Sequence, residues 1–89
     1  MSIREEMLEV ASQIISTDRN VDYGEPAKNF EQIAVMWTAY FGAVFQPHDV
    51  AAMMALLKVA RISTSPEKAD HWIDLAGYAA CGAEVRPGT

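Results

Sequence analysis

The sequence has few of the residues that build covalent or metal-held structure. It has one cysteine and two histidines in 89 residues. A lone thiol, Cys81, forms no intrachain disulfide, so a reducing cytoplasm is the expected compartment. His48 and His71 stand apart, with no second ligand at metal spacing near either. Basic side chains are scarce as well: seven Lys and Arg against twelve Asp and Glu leave a net charge of −5. General binding to DNA, RNA or an anionic membrane surface needs a basic excess, so none of these is expected as a partner. A local basic pocket stays open under that balance. Long apolar runs are missing too. The segment from Val50 to Leu57 is too short to span a bilayer and ends at Lys58. The opening residues, MSIREEMLEV, have no apolar core of the kind a signal peptide needs. There is no glycine-rich phosphate loop, no nucleophile elbow, no internal repeat and no strand-like alternation.

What remains is apolar and helical in its periodicity. Of the residues, 51% are hydrophobic, which is more than one small domain hides easily on its own. The expectation is a single all-α domain over residues 1–89, ordered from about 2 to 85, built from about four helices and assembled as a homo-oligomer.

The first helix is expected from Ser2 to Ser16. Ser2 and Glu5 have the spacing of a capping box, and Ile3, Met7, Val10, Ala11 and Ile14 form its buried stripe. The stretch from Thr17 to Glu25 is polar and turn-forming. A second helix follows Pro26 and stops at Gly42, with Phe30, Ile33, Ala34, Trp37 and Phe41 inward and Met36 and Tyr40 widening the stripe. The segment His48–Ile62 after Pro47 is apolar on nearly every side, which places it in an interior. Ser65, Pro66 and Glu67 read as N-cap, first helical residue and first turn of a last helix reaching Val85. That helix is rich in small residues, among them Gly77 and Gly82. Each glycine costs roughly 1 kcal/mol relative to alanine in a helix interior. Close approach of another backbone is the expected return, within the fold or between subunits.

Three constellations are candidates for chemistry. Lys58 and Arg61 lie at i,i+3 on the third helix, and Asp74 and Tyr78 at i,i+4 on the fourth. The short connection makes these helices an antiparallel hairpin, so Asp74 can pair with either cation. One carboxylate cannot neutralise two cations, and a buried site of this kind would attract an anion. The alternative is structural: Arg61 complements its helix terminus, Lys58 extends to solvent and Asp74 is a scaffold partner. Arg19 and Tyr23 form the second constellation, a guanidinium suited to phosphate and a ring suited to a base; the alternative is that they close the bundle end. Glu6 and Glu9, and Glu67 and Asp70, place carboxylates at i,i+3, a spacing able to hold Mg²⁺; the alternative is a solvated face and first-turn acids serving the dipole.

Asp18-Arg19, Tyr23-Gly24, Phe30, Ile33-Ala34 and Trp37 form a pattern, continued by Met53-Met54, Leu56-Leu57-Lys58, Ala60-Arg61 and the run Asp74 to Ala80. Over residues 10 to 84 it resembles a small uncharacterised all-helical family found mainly in phages and prophages. At longer range it is similar to the MazG-type all-α nucleotide pyrophosphohydrolases, which carry E-x-x-E and E-x-x-D on successive central helices around Mg²⁺. Here the corresponding helices hold only Glu31 on one and Lys58 and Arg61 on the other. The resemblance therefore implies phosphate recognition rather than metal-assisted hydrolysis.

The expected function is non-catalytic binding of a phosphorylated nucleotide or nucleotide-derived signal, such as a host immune messenger sequestered by a phage protein in the cytoplasm of its bacterial host. Arg19, Lys58 and Arg61 would hold phosphate, Tyr23 or Tyr78 would meet the base or ribose, and Asp74 would orient the cations. No metal or other cofactor is expected. The alternatives are a MazG-like hydrolase using Mg²⁺, and a phage protein that docks on a host protein through apolar surface.

Overall fold

The computed structural model describes residues 2–16 and 25–88. They form four helices, α1 (Ile3–Ser16), α2 (Pro26–Phe41), α3 (Pro47–Thr64) and α4 (Ala69–Glu84), with no strand among the described residues. The all-α architecture is as the periodicity predicts.

Local chemistry sets most of the helix boundaries. At the start of α1 the Glu5 N–H donates to Ser2 Oγ at 3.2 Å, and Ser2 Oγ donates to Glu5 Oε1 at 2.9 Å. The glutamate thus reaches back to the serine hydroxyl. Pro26 opens α2, where a missing N–H costs nothing. Gly42 ends it in the left-handed region at φ 73°, its N–H donating to the Thr38 carbonyl, a conformation that glycine adopts without a Cβ penalty. The α2–α3 connection is tied by Thr38, whose Oγ1 accepts the Phe45 N–H at 2.8 Å. Asp49 caps α3 by accepting the Gln46 N–H at 2.9 Å.

The last helix begins later than its sequence signature indicates. The Ser65 N–H donates to the Arg61 carbonyl, so Ser65 closes α3 rather than opening α4. Pro66 and Glu67 form a turn, and Trp72 Nε1 donates to the Pro66 carbonyl at 2.9 Å. The N-cap of α4 is Lys68.

The α3–α4 hairpin is the most extensive pairing. Its antiparallel sense follows from two contacts in opposite chain order: Lys58 meets Asp74, and Ala51 faces Gly82. α1 packs on α4, α2 packs on α3, and α2 touches α4 only slightly. The core is Phe30, Ala34, Val50, Ala51 and Cys81, with Ile15, Ile33, Trp37, Phe45, Met54, Tyr78 and Val85 packed around it.

The small residues of α4 serve this packing. A Cβ on Gly82 would lie 3.0 Å from the Ala51 Cβ on α3, and one on Gly77 would lie 3.4 Å from Ile15 Cγ2 on α1. Gly82 therefore sets the spacing of α3 and α4. Gly82→Val is expected to lower stability by about 1–2 kcal/mol through overpacking, read as a reduced urea midpoint. Gly82→Ala should also lower stability, though less, because gained helix propensity offsets only part of the contact with an Ala51 Cβ that cannot rotate away.

Two expectations about burial are corrected. α3 is not interior throughout: only Val50 and Ala51 are buried, while Met53, Leu56, Leu57 and Val59 are exposed at 41–65%. Two helices cover its inner side, and among the described residues none covers Met53, Leu56, Leu57 or Val59. On α1 the buried position is Ala11, whereas Ile3 and Val10 are exposed. Phe41, Met36 and Tyr40 on α2 are also exposed, because α2 has only α3 as a substantial neighbour.

Candidate functional site

The slight contact of α2 with α4 leaves a groove of about 440 Å³ between α1 and α2, floored by α4. Ala11, Ile14 and Ile15 of α1 form one wall, and Phe30, Ile33 and Met36 of α2 the other. Ile73, Asp74, Gly77, Tyr78 and Cys81 make the floor, and Met54 of α3 closes one side. Asn29 and Gln32 add amide groups. The i,i+4 spacing of Asp74 and Tyr78 brings both into this groove, with Cys81 a further turn along. The Phe30 and Tyr78 ring centroids lie 6.5 Å apart, their planes tilted by 32°.

Burial and the nearby Glu84 push the Cys81 thiol above its ordinary pKa. It therefore contributes a small neutral group and not a thiolate nucleophile.

Asp74 is the one carboxylate of the lining among the described residues, and it is paired from behind. Lys58 Nζ lies 2.9 Å from Asp74 Oδ2. The Lys58 side chain is 16% exposed and that of Asp74 37%, so the ammonium is the better shielded member. Of the two pairings open to Asp74 in the sequence, the fold makes the one with Lys58.

Arg61 is exposed, and its side chain makes no hydrogen bond or ion pair among the described residues. α2 does not cover the end of α3 from which Arg61 projects. The enclosed pocket carrying two cations, expected from the i,i+3 spacing, is thus not what the described residues form. Lys58 supports the groove from its edge, and Arg61 stands in solvent outside the lining. Arg19 and Tyr23 lie outside the described residues.

The acidic set does not assemble into a metal centre. Glu6 and Glu9 are exposed on α1. Glu67 sits in the turn before α4, so it and Asp70 do not share a helix face. Among the described residues no three His, Cys, Asp or Glu side chains come together in a way that could hold an ion. His48 lies 3.5 Å from Asp49 at the start of α3, away from the groove, and His71 is not part of the lining.

Sequence reasoning placed Asp74, Tyr78 and Lys58 together but missed the apolar walls. Phe30 and Ile33 read only as core positions, and Ile15 lay outside the stripe assigned to α1. Periodicity identifies a buried face without saying whether another helix or a cavity lies opposite it.

Residues 6–86 match the model of a family described as a domain of unknown function, DUF6378. The chain is 46% identical over 74 residues to the Gene 55 protein of Mycobacterium phage L5, covering 82% of this chain and 47% of the relative. It is 39% identical over 77 residues to the Gene 55 protein of Mycobacterium phage D29, covering 86% of this chain and 51% of the relative. The chain thus spans about half the length of these curated relatives. The resemblance to phage proteins expected from the sequence pattern is present. No solved structure matches the chain significantly. Among the described residues no helix is long and apolar enough to cross a membrane.

Proposed function

We propose, for a chain that belongs to the DUF6378 family, that it binds a phosphorylated nucleotide or nucleotide-derived signal without turning it over. The observation that carries this reading is the groove: concave, walled by apolar and aromatic side chains, with a carboxylate–ammonium pair at one edge. Pockets of about 300–1,000 Å³ with that makeup are typical of small-molecule sites. The apolar walls suit the faces of a base beside Phe30 and Tyr78. The Lys58 ammonium has three N–H donors, and Asp74 takes one. Those that remain, with exposed Arg61 one turn on, suit a phosphate lying at the rim outside the groove. Arg19 and Tyr23, outside the described residues, belong to the same reading on their sequence chemistry alone. A phage-encoded binder of this kind would act in the cytoplasm of the host and could remove a host signal from circulation.

The test is a panel of nucleoside mono-, di- and triphosphates and cyclic nucleotides, assayed by calorimetry against the parent chain, Lys58→Ala and Arg61→Ala. One ligand class should bind the parent, and affinity should fall at least tenfold in each variant while the far-ultraviolet circular dichroism stays helical. Loss of the folded signal in both variants would make the cations structural and remove them from the site. A MazG-like hydrolase, the enzyme alternative, would release pyrophosphate or phosphate from the same panel in a manner abolished by chelator.

The outer side of α3 favours a second role, self-association. Leu56 and Val59, 65% and 48% exposed, stand among alanines with no charge beside them on that side of the helix. We take the homo-oligomer as the working assembly, with a host protein as the competing occupant of the same surface. Sedimentation of the parent and of Leu56→Glu distinguishes the two, since only self-association makes the parent larger than a monomer in isolation.

A further inference from the structure

Among the described residues the groove has charged chemistry at one point only, and its sign bears on which part of a ligand enters. Asp74 lines the groove, while Lys58 and Arg61 do not. One Asp74 oxygen, Oδ2, is engaged by Lys58 at 2.9 Å, and the pair is only partly exposed. An ionised carboxylate accepts hydrogen bonds and donates none. With its charge balanced by an ammonium from behind, it presents an acceptor without the full repulsion that a free carboxylate exerts on an anionic ligand. On the same helix one turn on is the half-buried ring of Tyr78, packed 6.5 Å from the buried Phe30 ring between centroids.

We infer that Asp74 is a specificity-determining residue that accepts a hydrogen bond from an exocyclic amino group on a nucleobase held in the groove. This rests on the groove being the ligand site proposed above. Asp74 then does more than orient Lys58: it selects bases that carry an amino donor and disfavours those that present only a carbonyl at that edge. Such discrimination has a physical basis, because a ligand without the donor leaves a partly desolvated acceptor unmatched.

The experiment uses matched nucleosides that differ by the amino group alone, adenosine against purine riboside and guanosine against inosine. Binding is followed by chemical-shift changes of the Ile33 methyl and Tyr78 ring signals. In at least one pair the amino-bearing member should bind tenfold or more tightly than its partner. Asp74→Leu, which removes the acceptor, made together with Lys58→Met so that no ammonium is left unpaired, should reduce that ratio to about threefold or less. Equal affinities within both pairs, with the groove signals perturbed, would overturn the role of Asp74 and leave the groove reading intact. A tenfold ratio unchanged in that double variant would overturn it as well, since the donor would then be met elsewhere. Absence of any perturbation by all four nucleosides would overturn both the inference and the groove reading on which it rests.

Discussion

Replacing Phe30 with alanine should remove about 3–5 kcal/mol of folding stability. The ring is 6% exposed and belongs both to the core with Ala34, Val50, Ala51 and Cys81 and to the wall of the groove. Truncating it takes away contacts with α3 and α4 together, at the point where α2 and α4 barely touch otherwise. A domain of this size has a total stability of roughly 5–10 kcal/mol, so the variant should be close to unfolding at room temperature. Phe30→Leu keeps most of the volume and should cost only about 1–1.5 kcal/mol. Urea titration monitored by circular dichroism measures both. A Phe30→Ala variant with an unchanged midpoint would mean that the side chain lies on an open surface.

The second large effect concerns the Lys58–Asp74 pair. Asp74→Ala leaves an ammonium that is 16% exposed without its carboxylate, and the expected loss is about 2–3 kcal/mol. This falls below the value for a fully buried pair because the Asp74 side chain is 37% exposed and water screens part of the charge. Removing both charges with Lys58→Met and Asp74→Leu should recover most of that loss, since neither ion then needs solvation. A double-mutant cycle built from urea midpoints isolates the coupling. A cycle with no coupling would show that the two side chains are solvated independently, and the groove would then carry an unbalanced carboxylate.

Features that depend on chemistry within one turn of helix were legible in the sequence. Ser2 with Glu5, Pro26 and Gly42 mark boundaries that the fold uses. The pairing of Asp74 with a cation on α3 followed from helix spacing and a short connection. The start of α4 was misread because Ser65-Pro66-Glu67 satisfies the local rules for a helix start. α3 instead runs on to Thr64, where the Ser65 N–H meets the Arg61 carbonyl, and Trp72 holds the Pro66 carbonyl. Both contacts lie within six residues, so two local patterns compete for Ser65 and the cap rules alone do not rank them. The groove was not legible for a related reason: Ile15, Ile33 and Phe30 show an inward-facing pattern whether α1 and α2 meet or stand apart. The all-round apolar character of α3 was read as burial inside one chain. The exposed Leu56 and Val59 place half of that signal on an outer surface, where a second molecule can account for it.

Native mass spectrometry of protein taken gently from its producing cells, recorded before and after denaturation, tests the central claim most directly. A groove that binds a nucleotide-derived ligand predicts a released small anion in the nucleotide mass range. Soaking the stripped protein with that anion should restore the bound mass and shift the Ile33 and Tyr78 signals. A protein with nothing bound, whose groove signals stay unmoved by every nucleotide in the panel, would contradict the account.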